Sequence, residues 1–451
     1  MHSYRAHPLT RAIAGLLLLA AALPTESLAQ TTRYRIVDLG TLGGPNSSQT
    51  YPARMVSNRG DVIAFSETTN SSPFGLDGIT TGGPVVHAVR WSNGRVTDLG
   101  APAGIDAKTS AGVPTWIDDS GLIAGLSENG LVDPLTGFAQ VRAVLWLGGT
   151  SLNLGTLGGN SSQAFAVNSV GQVVGVALND KPDEFAELMT YFLPAATQAR
   201  AFLWQAGSMH DLGTLGGKDA VALAINQGGQ VAGFSYTNTI PNPTTGIPSV
   251  HPFLWERGQM RDLGTLGGTM AVPGLLDLPG GPMLNANGDV AGTSTLAGDA
   301  SWHAYRWSHG SMMDLGTLGG SNSEATTVNA QGNVVGRADF SPKDTHHHAF
   351  FWRQGAMIDL GTLPPCQNST ATGINARNQV IGETGACPGG GDGHAFISEN
   401  GQPMVDLNDL VPPGHELTVI GVADINERGE IGGLGQLSNG DVHAIVLVPT
   451  R

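Results

Sequence analysis

The chain has 451 residues, with 22 basic and 37 acidic side chains, a formal net charge of −15, 65 glycines, 26 prolines and two cysteines. A surface this acidic repels phosphate backbones, so nucleic acid is excluded as an expected partner. With 13% charged residues and this much glycine and proline, the chain fits many tight turns between short strands better than helices.

Residues 1–29 read as a signal peptide. Arg5 and Arg11 form a positive start, and the apolar run from Ala12 to Leu23 has signal-peptide length, too short to span a bilayer. Ser27-Leu28-Ala29 presents small residues where a signal peptidase reads, which predicts cleavage before Gln30. No cysteine follows the run, and no later stretch is long and apolar enough to cross a membrane. The expectation is a bacterial-type protein, secreted or periplasmic, without a membrane span and acting as a monomer.

From residue 30 to 451 the chain reads as one internally repeated domain. Four short signatures recur in fixed order, eight times each, at periods of 44 to 60 residues. The first ends at Asn58, Asp118, Asn168, Asn226, Asn285, Asn329, Asn375 and Asn426, usually as Ile-Asn. The second resembles GQVVG, as at Gly171 to Gly175. The third resembles HAFFW, beginning at His87, Arg142, Arg200, His251, His303, His348, His394 and His443. The fourth, DLGTLGG or a shorter form, begins at Asp38, Asp98, Asn153, Asp211, Asp262, Asp314, Asp359 and Asp406.

Each signature is a short run rich in Val, Ile, Phe and Trp, bounded by Gly, Asn and Asp, and so predicts a strand. Asn-x-x-Gly joins the first two strands, and Trp-x-x-Gly joins the last two, the latter fitting a three-residue hairpin loop with a left-handed Gly. Each repeat is then a four-stranded antiparallel meander, one propeller blade, and the fold class is an all-β, eight-bladed β-propeller. A basic residue of the third strand precedes the Asp or Asn of the fourth by 11 positions in six repeats, as in His87 and Asp98 or Arg142 and Asn153, and by 12 at His394 and Asp406. Such pairs fall on neighbouring strands, where opposite charges attract. Asp38 and His443 are left without partners. Placing Arg33 to Asp38 beside the last HAF-type strand pairs both, and closes the ring with one N-terminal and three C-terminal strands.

Extra length is concentrated between the second and third strands, as in Glu67 to Val86, Glu128 to Val141, Leu178 to Ala199 and Tyr236 to Val250. Smaller insertions follow the fourth strand. Both connections belong to the same end of the blades, so one face is loop-rich and the other plain. Cys366 and Cys387 flank the seventh first-to-second hairpin at equal distance and predict a disulfide across its base.

DLGTLGG together with His348-Ala349-Phe350 and His394-Ala395-Phe396 resembles the HAF-repeat family of extracellular bacterial proteins, over Tyr34 to Val448. Looser forms are RAFLW (Arg200 to Trp204), HPFLW (His251 to Trp255) and HAYRW (His303 to Trp307). The resemblance implies an exported repeat protein and carries over no catalytic residue.

No residue set forms a catalytic, metal or cofactor signature. Gly213 to Lys218 departs from a phosphate loop in spacing, and Asp219 stands where Ser or Thr is needed. His346, His347 and His348 with Asp344 are the one local histidine cluster, and adjacent strand residues point to opposite faces. Asp118 with Asp119, and Glu184 with Glu187, are neighbouring carboxylates without a defined geometry. Aromatics of the insertions (Phe74, Phe138, Phe185, Tyr191, Phe192 and Tyr236) are candidates to line a protein or glycan site on the loop-rich face, or to pin their own loops. The leading expectation is a non-enzymatic binding or scaffold propeller. The alternative is an extracellular polysaccharide hydrolase or lyase using carboxylates at the channel mouth.

Overall fold

The computed structural model describes residues 32–49, 54–72, 83–102, 104–186, 194–275, 282–341, 346–385, 387 and 393–450. The expected signal peptide lies outside them. Blade 3 shows how a repeat folds. Its strands Ser162–Val167, Val173–Pro182, Thr197–Gln205 and Ser208–Asp211 pair antiparallel in chain order. Asn168 makes the first turn: its Oδ1 accepts the Gln172 N–H at 3.1 Å, and Gly171 donates back to the Asn168 carbonyl at 3.0 Å. The last turn differs from the expected three-residue loop. Gln205 pairs with Ser208, and Ala206 and Gly207 both have positive φ, +49° and +87°. That is a two-residue turn of the primed kind, whose twist matches the strands it joins.

The aromatic of HAF has a fixed counterpart. Phe202 pairs directly with Gly175, Phe253 with Gly233, Phe350 with Gly336 and Phe396 with Gly382. The ring lies over a position with no side chain, so the last Gly of GQVVG and the Phe of HAF are one packing unit. First strands such as Ala220–Ile225 are buried throughout, whereas fourth strands such as Gln259–Asp262 are largely exposed. The first strand therefore faces the ring axis and the fourth forms the rim.

Eight four-stranded blades result, spanning 43–98, 112–153, 162–211, 220–262, 267–314, 323–359, 368–406, and 417–450 with 33–38. Blades 4 and 5 are linked by one parallel pair, Val250 with Met270. The closure expected from the two unmatched residues is present. Arg33–Asp38 pairs antiparallel with Val442–Thr450, and His443 Nδ1 lies 2.9 Å from the Asp38 carboxylate. Blade 8 meets blade 1 through Gln49 Nε2 on the Gly433 carbonyl (2.6 Å) and through Asp424, which accepts the N–H groups of Met55 and Val56 at 2.9 and 3.0 Å.

A belt of side-chain amides ties the blades together at the plain face. Asn168 donates to the carbonyl of Asn226, Asn226 to Asn285, Asn285 to Asn329, Asn329 to Asn375, Asn375 to Asn426, and Asn426 to Ser57. In blade 1 the turn residue is thus Ser57, one position before the expected Asn58. Asn58 instead donates to Asp119, which also pairs with Arg54 at 2.5 Å. Between blades 1 and 2 a charged link replaces the amide.

The expected basic–acidic pairs form in seven repeats, as in His251 with Asp262 and Arg200 with Asp211, both at 2.9 Å. The members are diagonal neighbours, since Asp262 lies directly opposite Phe253. Arg142 is the exception. Its guanidinium bonds the carbonyls of Val141 and Asn160 and the Gln140 side chain, while Asn153 receives the Gly155 N–H. A neutral amide offers Arg142 no compensating charge.

Cys366 and Cys387 are bonded across the base of the hairpin formed by Asn368–Ile374 and Gln379–Gly385. A bridge at a sequence separation of 21 contributes roughly 3 kcal/mol by loop entropy. Reduction under native conditions is expected to lower the urea midpoint accordingly, and alkylation without reduction should label neither thiol.

Candidate functional site

The loop-rich face carries the differences between blades. In blades 1 to 3 the second strands Val62–Ser71, Ile123–Val132 and Val173–Pro182 are 10 residues long, against 6 for Val231–Tyr236 and Val334–Asp339 in blades 4 and 6. The insertions there continue the second-to-third hairpin as arms above the disc, with outer pairs Ser71–Pro84, Val132–Ala139 and Pro182–Thr197.

The arms of blades 2 and 3 each lean on the next blade. Asp133 receives the Asn160 side chain at 3.1 Å, and Asp183 receives Lys218 Nζ at 2.8 Å. Each Asp also starts its own turn by accepting the N–H two residues on, from Leu135 and from Phe185. Phe185 packs edge-to-face on Tyr236 of blade 4, with ring centroids 6.5 Å apart. Tyr236 itself is 1% exposed, a member of the core. The pair therefore fastens the blade 3 arm. Phe138 is half-buried at the tip of the blade 2 arm, where its carbonyl accepts the Asp133 N–H. Phe74, Tyr191 and Phe192 lie outside the described residues.

Two features of this face escaped the sequence reading. Leu131, Val132 and Leu135 on the blade 2 arm are 58%, 45% and 60% exposed. Their signal was present as aliphatics inside an insertion broken by Gly130, Asp133 and Pro134. The second feature is Asp219. Asn46, Ser161, Asn322 and Asn368 each accept, with a neutral side chain, the backbone N–H just before the HAF-type triplet. In blade 4 Asp219 takes this place and accepts from Ala199 at 2.8 Å. Its residue is 1% exposed and Oδ2 has no hydrogen-bond partner.

Burial pushes the Asp219 carboxyl up to about 6, the Ala199 N–H opposing it and the Asp183 charge adding to it. Burial also raises Glu128, at the base of the blade 2 arm. A carboxyl whose folded pKa exceeds its unfolded value takes up a proton on folding, so its contribution declines as pH rises through that interval. Asp219→Asn removes the charge and keeps the acceptor. It is expected to leave stability unchanged below pH 4 and to raise it by about 2–3 kcal/mol above pH 6.5. Equal stability of variant and parent at pH 7 would contradict this.

The other titratable clusters are taken up by the fold. Asp118 closes its turn through the Ser120 and Leu122 N–H groups. His348 pairs with Asp359, and burial lowers His347 to about 4. Among the described residues no three metal-binding side chains converge. A groove of about 250 Å³ lies at the rim between blades 1 and 2, lined by Arg90, Asp98, Trp146 and Leu147 among others.

Eight four-stranded blades closed by an N-terminal strand define a β-propeller, here with one face built up by hairpin arms. No family model and no curated protein matches the chain. Solved structures similar to it include the β-propeller domain of the trilobed protease of Pyrococcus furiosus, described as having an open velcro topology (8% identity, TM-score 0.45, 81% of this chain and 96% of that one). An ulvan lyase, a polysaccharide lyase, is similar at 11% identity and TM-score 0.39, over 91% of this chain and 95% of that one. A gluconolactonase of Xanthomonas campestris is similar at 11% identity and TM-score 0.26, over 73% and 89%. Among the described residues no helix is long and apolar enough to cross a membrane.

Proposed function

We propose that this is an exported, non-enzymatic binding propeller of the HAF-repeat kind, whose protein or glycan partner engages the loop-rich face. The observation that carries the reading is the division of labour between repeated and unrepeated residues. The repeated His, Asp, Phe, Gly and Asn are consumed by cross-strand pairs, glycine–aromatic packing and the inter-blade belt. The unrepeated residues stand in the insertions of the loop-rich face, where the blade 2 arm exposes Leu131, Val132 and Leu135 and the blade 4 insertion exposes Ile240.

The alternative is a hydrolase or lyase using carboxylates at the channel mouth. Asp183, within the blade 3 arm, and Asp219 beneath it are a neighbouring pair on this face, but both are buried and Lys218 holds the first, so this pair is not placed to touch a polysaccharide. The test is a glycan, peptidoglycan and peptide binding screen with product analysis. Saturable binding with the ligand recovered intact is expected. Turnover of any bound glycan would overturn the reading.

A further inference from the structure

We propose that the blade 2 arm is the docking element of this face and receives a basic, apolar segment of a partner protein; this deepens the binding reading and rests on it. Beyond Glu128 the arm rises clear of its own blade. The first strand of blade 2 ends its pairing at Gly112 with Ser127, and the fourth at Asn153 with Val144. Above that level the pairing breaks at a turn through Gly130 and resumes at Val132 with Ala139. The arm is held by its own side chains, with the Leu131 N–H on Asn129 Oδ1 and Gln140 Nε2 on the Val132 carbonyl, so it is a preformed platform.

The side chains there are aliphatic. Leu131, Val132 and Leu135 are three of the large hydrophobics most open to solvent, at 58%, 45% and 60%. A run of exposed Leu and Val next to half-buried Phe138 suits the apolar side chains of a peptide. Sugar rings prefer flat aromatic faces, which this arm lacks apart from Phe138.

Charge selects among protein occupants. On the preceding blade the fourth strand ends on this face at Asp98, paired with His87 and still 41% exposed at its side chain, while blade 2's own rim position is the neutral Asn153. The neighbouring arm exposes Asp180 and Glu184, with Lys181 between them. A second copy brings the same acidic face and is repelled, whereas a segment alternating basic and apolar residues is attracted.

The test uses the full chain and three labelled ten-residue peptides alternating Lys–Leu, Glu–Leu and Lys–Ser, followed by fluorescence anisotropy. The Lys–Leu peptide is expected to bind at least tenfold more tightly than the other two, more weakly at high salt. Leu131→Ser with Leu135→Ser should reduce that affinity at least tenfold, while Leu147→Ser, on the exposed rim of the same blade, leaves it unchanged. Thermal unfolding of both variants checks that the ring is intact. Lys–Leu binding indifferent to the arm substitutions would overturn the docking site while leaving a binding function standing. Absence of peptide binding overturns the proposal, and a dimer that the arm substitutions dissolve would make the occupant a second copy. Product release in the glycan screen would instead bring down the binding reading itself.

Discussion

Tyr34→Ala is expected to lower stability by about 3–5 kcal/mol, the loss of a fully buried core aromatic. The residue stands at the second position of the N-terminal strand, a place where substitutions ordinarily do little. Here it is 0% exposed and packs with Ile381, Leu407, Val422 and Leu447, which belong to blades 7 and 8. Its side chain joins the two ends of the sequence. Burial raises the Tyr34 hydroxyl well above its ordinary range, and that hydroxyl has no hydrogen-bond partner. Tyr34→Phe should therefore be neutral or stabilising by up to about 1 kcal/mol, because it removes a buried polar group left unpaired. Urea unfolding of the pair separates the roles of ring and hydroxyl. Parental stability in Tyr34→Ala would place the N-terminal strand outside the ring.

Gly233→Ala should be at least as damaging, costing about 3 kcal/mol or more. A Cβ there would lie 2.0 Å from the Val221 carbonyl oxygen and 2.7 Å from the Phe253 ring. The oxygen belongs to the buried first strand of blade 4, so relief requires moving backbone that also packs against neighbouring blades. Blade 1 supplies an internal comparison. Ala64 occupies the corresponding place opposite Val89, where no aromatic ring has to be accommodated. Adding Phe253→Val to Gly233→Ala is thus expected to recover part of the loss. Near-parental stability of the single variant would show that the pairing of Gly with Phe is incidental.

These two residues also show what a sequence of this kind reveals. The spacing between His or Arg and the next Asp marked a hairpin, and its two unmatched members, Asp38 and His443, located the closure. Repetition made this possible, because eight copies expose a missing partner that one copy would hide. The same regularity misplaced the blade 1 turn by one residue. Asn58 matches the pattern by type, but the hydrogen bonds that define the turn run through Ser57. Residue type does not report which of two adjacent polar groups faces the neighbouring blade.

The functional face was less legible, for local reasons. Tyr236 read as a loop aromatic because it borders an insertion, yet it shares a strand face with Phe234, and both are buried. Spacing by two, applied one residue further, would have assigned it to the core. Lys218 and Asp219 entered the sequence reading only as part of a rejected phosphate loop. Their partner Asp183 comes from another blade's arm, and nothing in sequence proximity connects them. The exposed aliphatics of the blade 2 arm required burial to be recognised, since Leu and Val within an insertion read equally well as anchors.

Native-state amide hydrogen exchange tests most directly whether the N-terminal strand closes a ring of eight blades. Within residues 33–38, the amides facing 442–450 are expected to exchange as slowly as the strand they pair with, because both open only when the ring does. Exchange of residues 33–38 within seconds, beside a protected 442–450, would contradict the closure and with it the eighth complete blade.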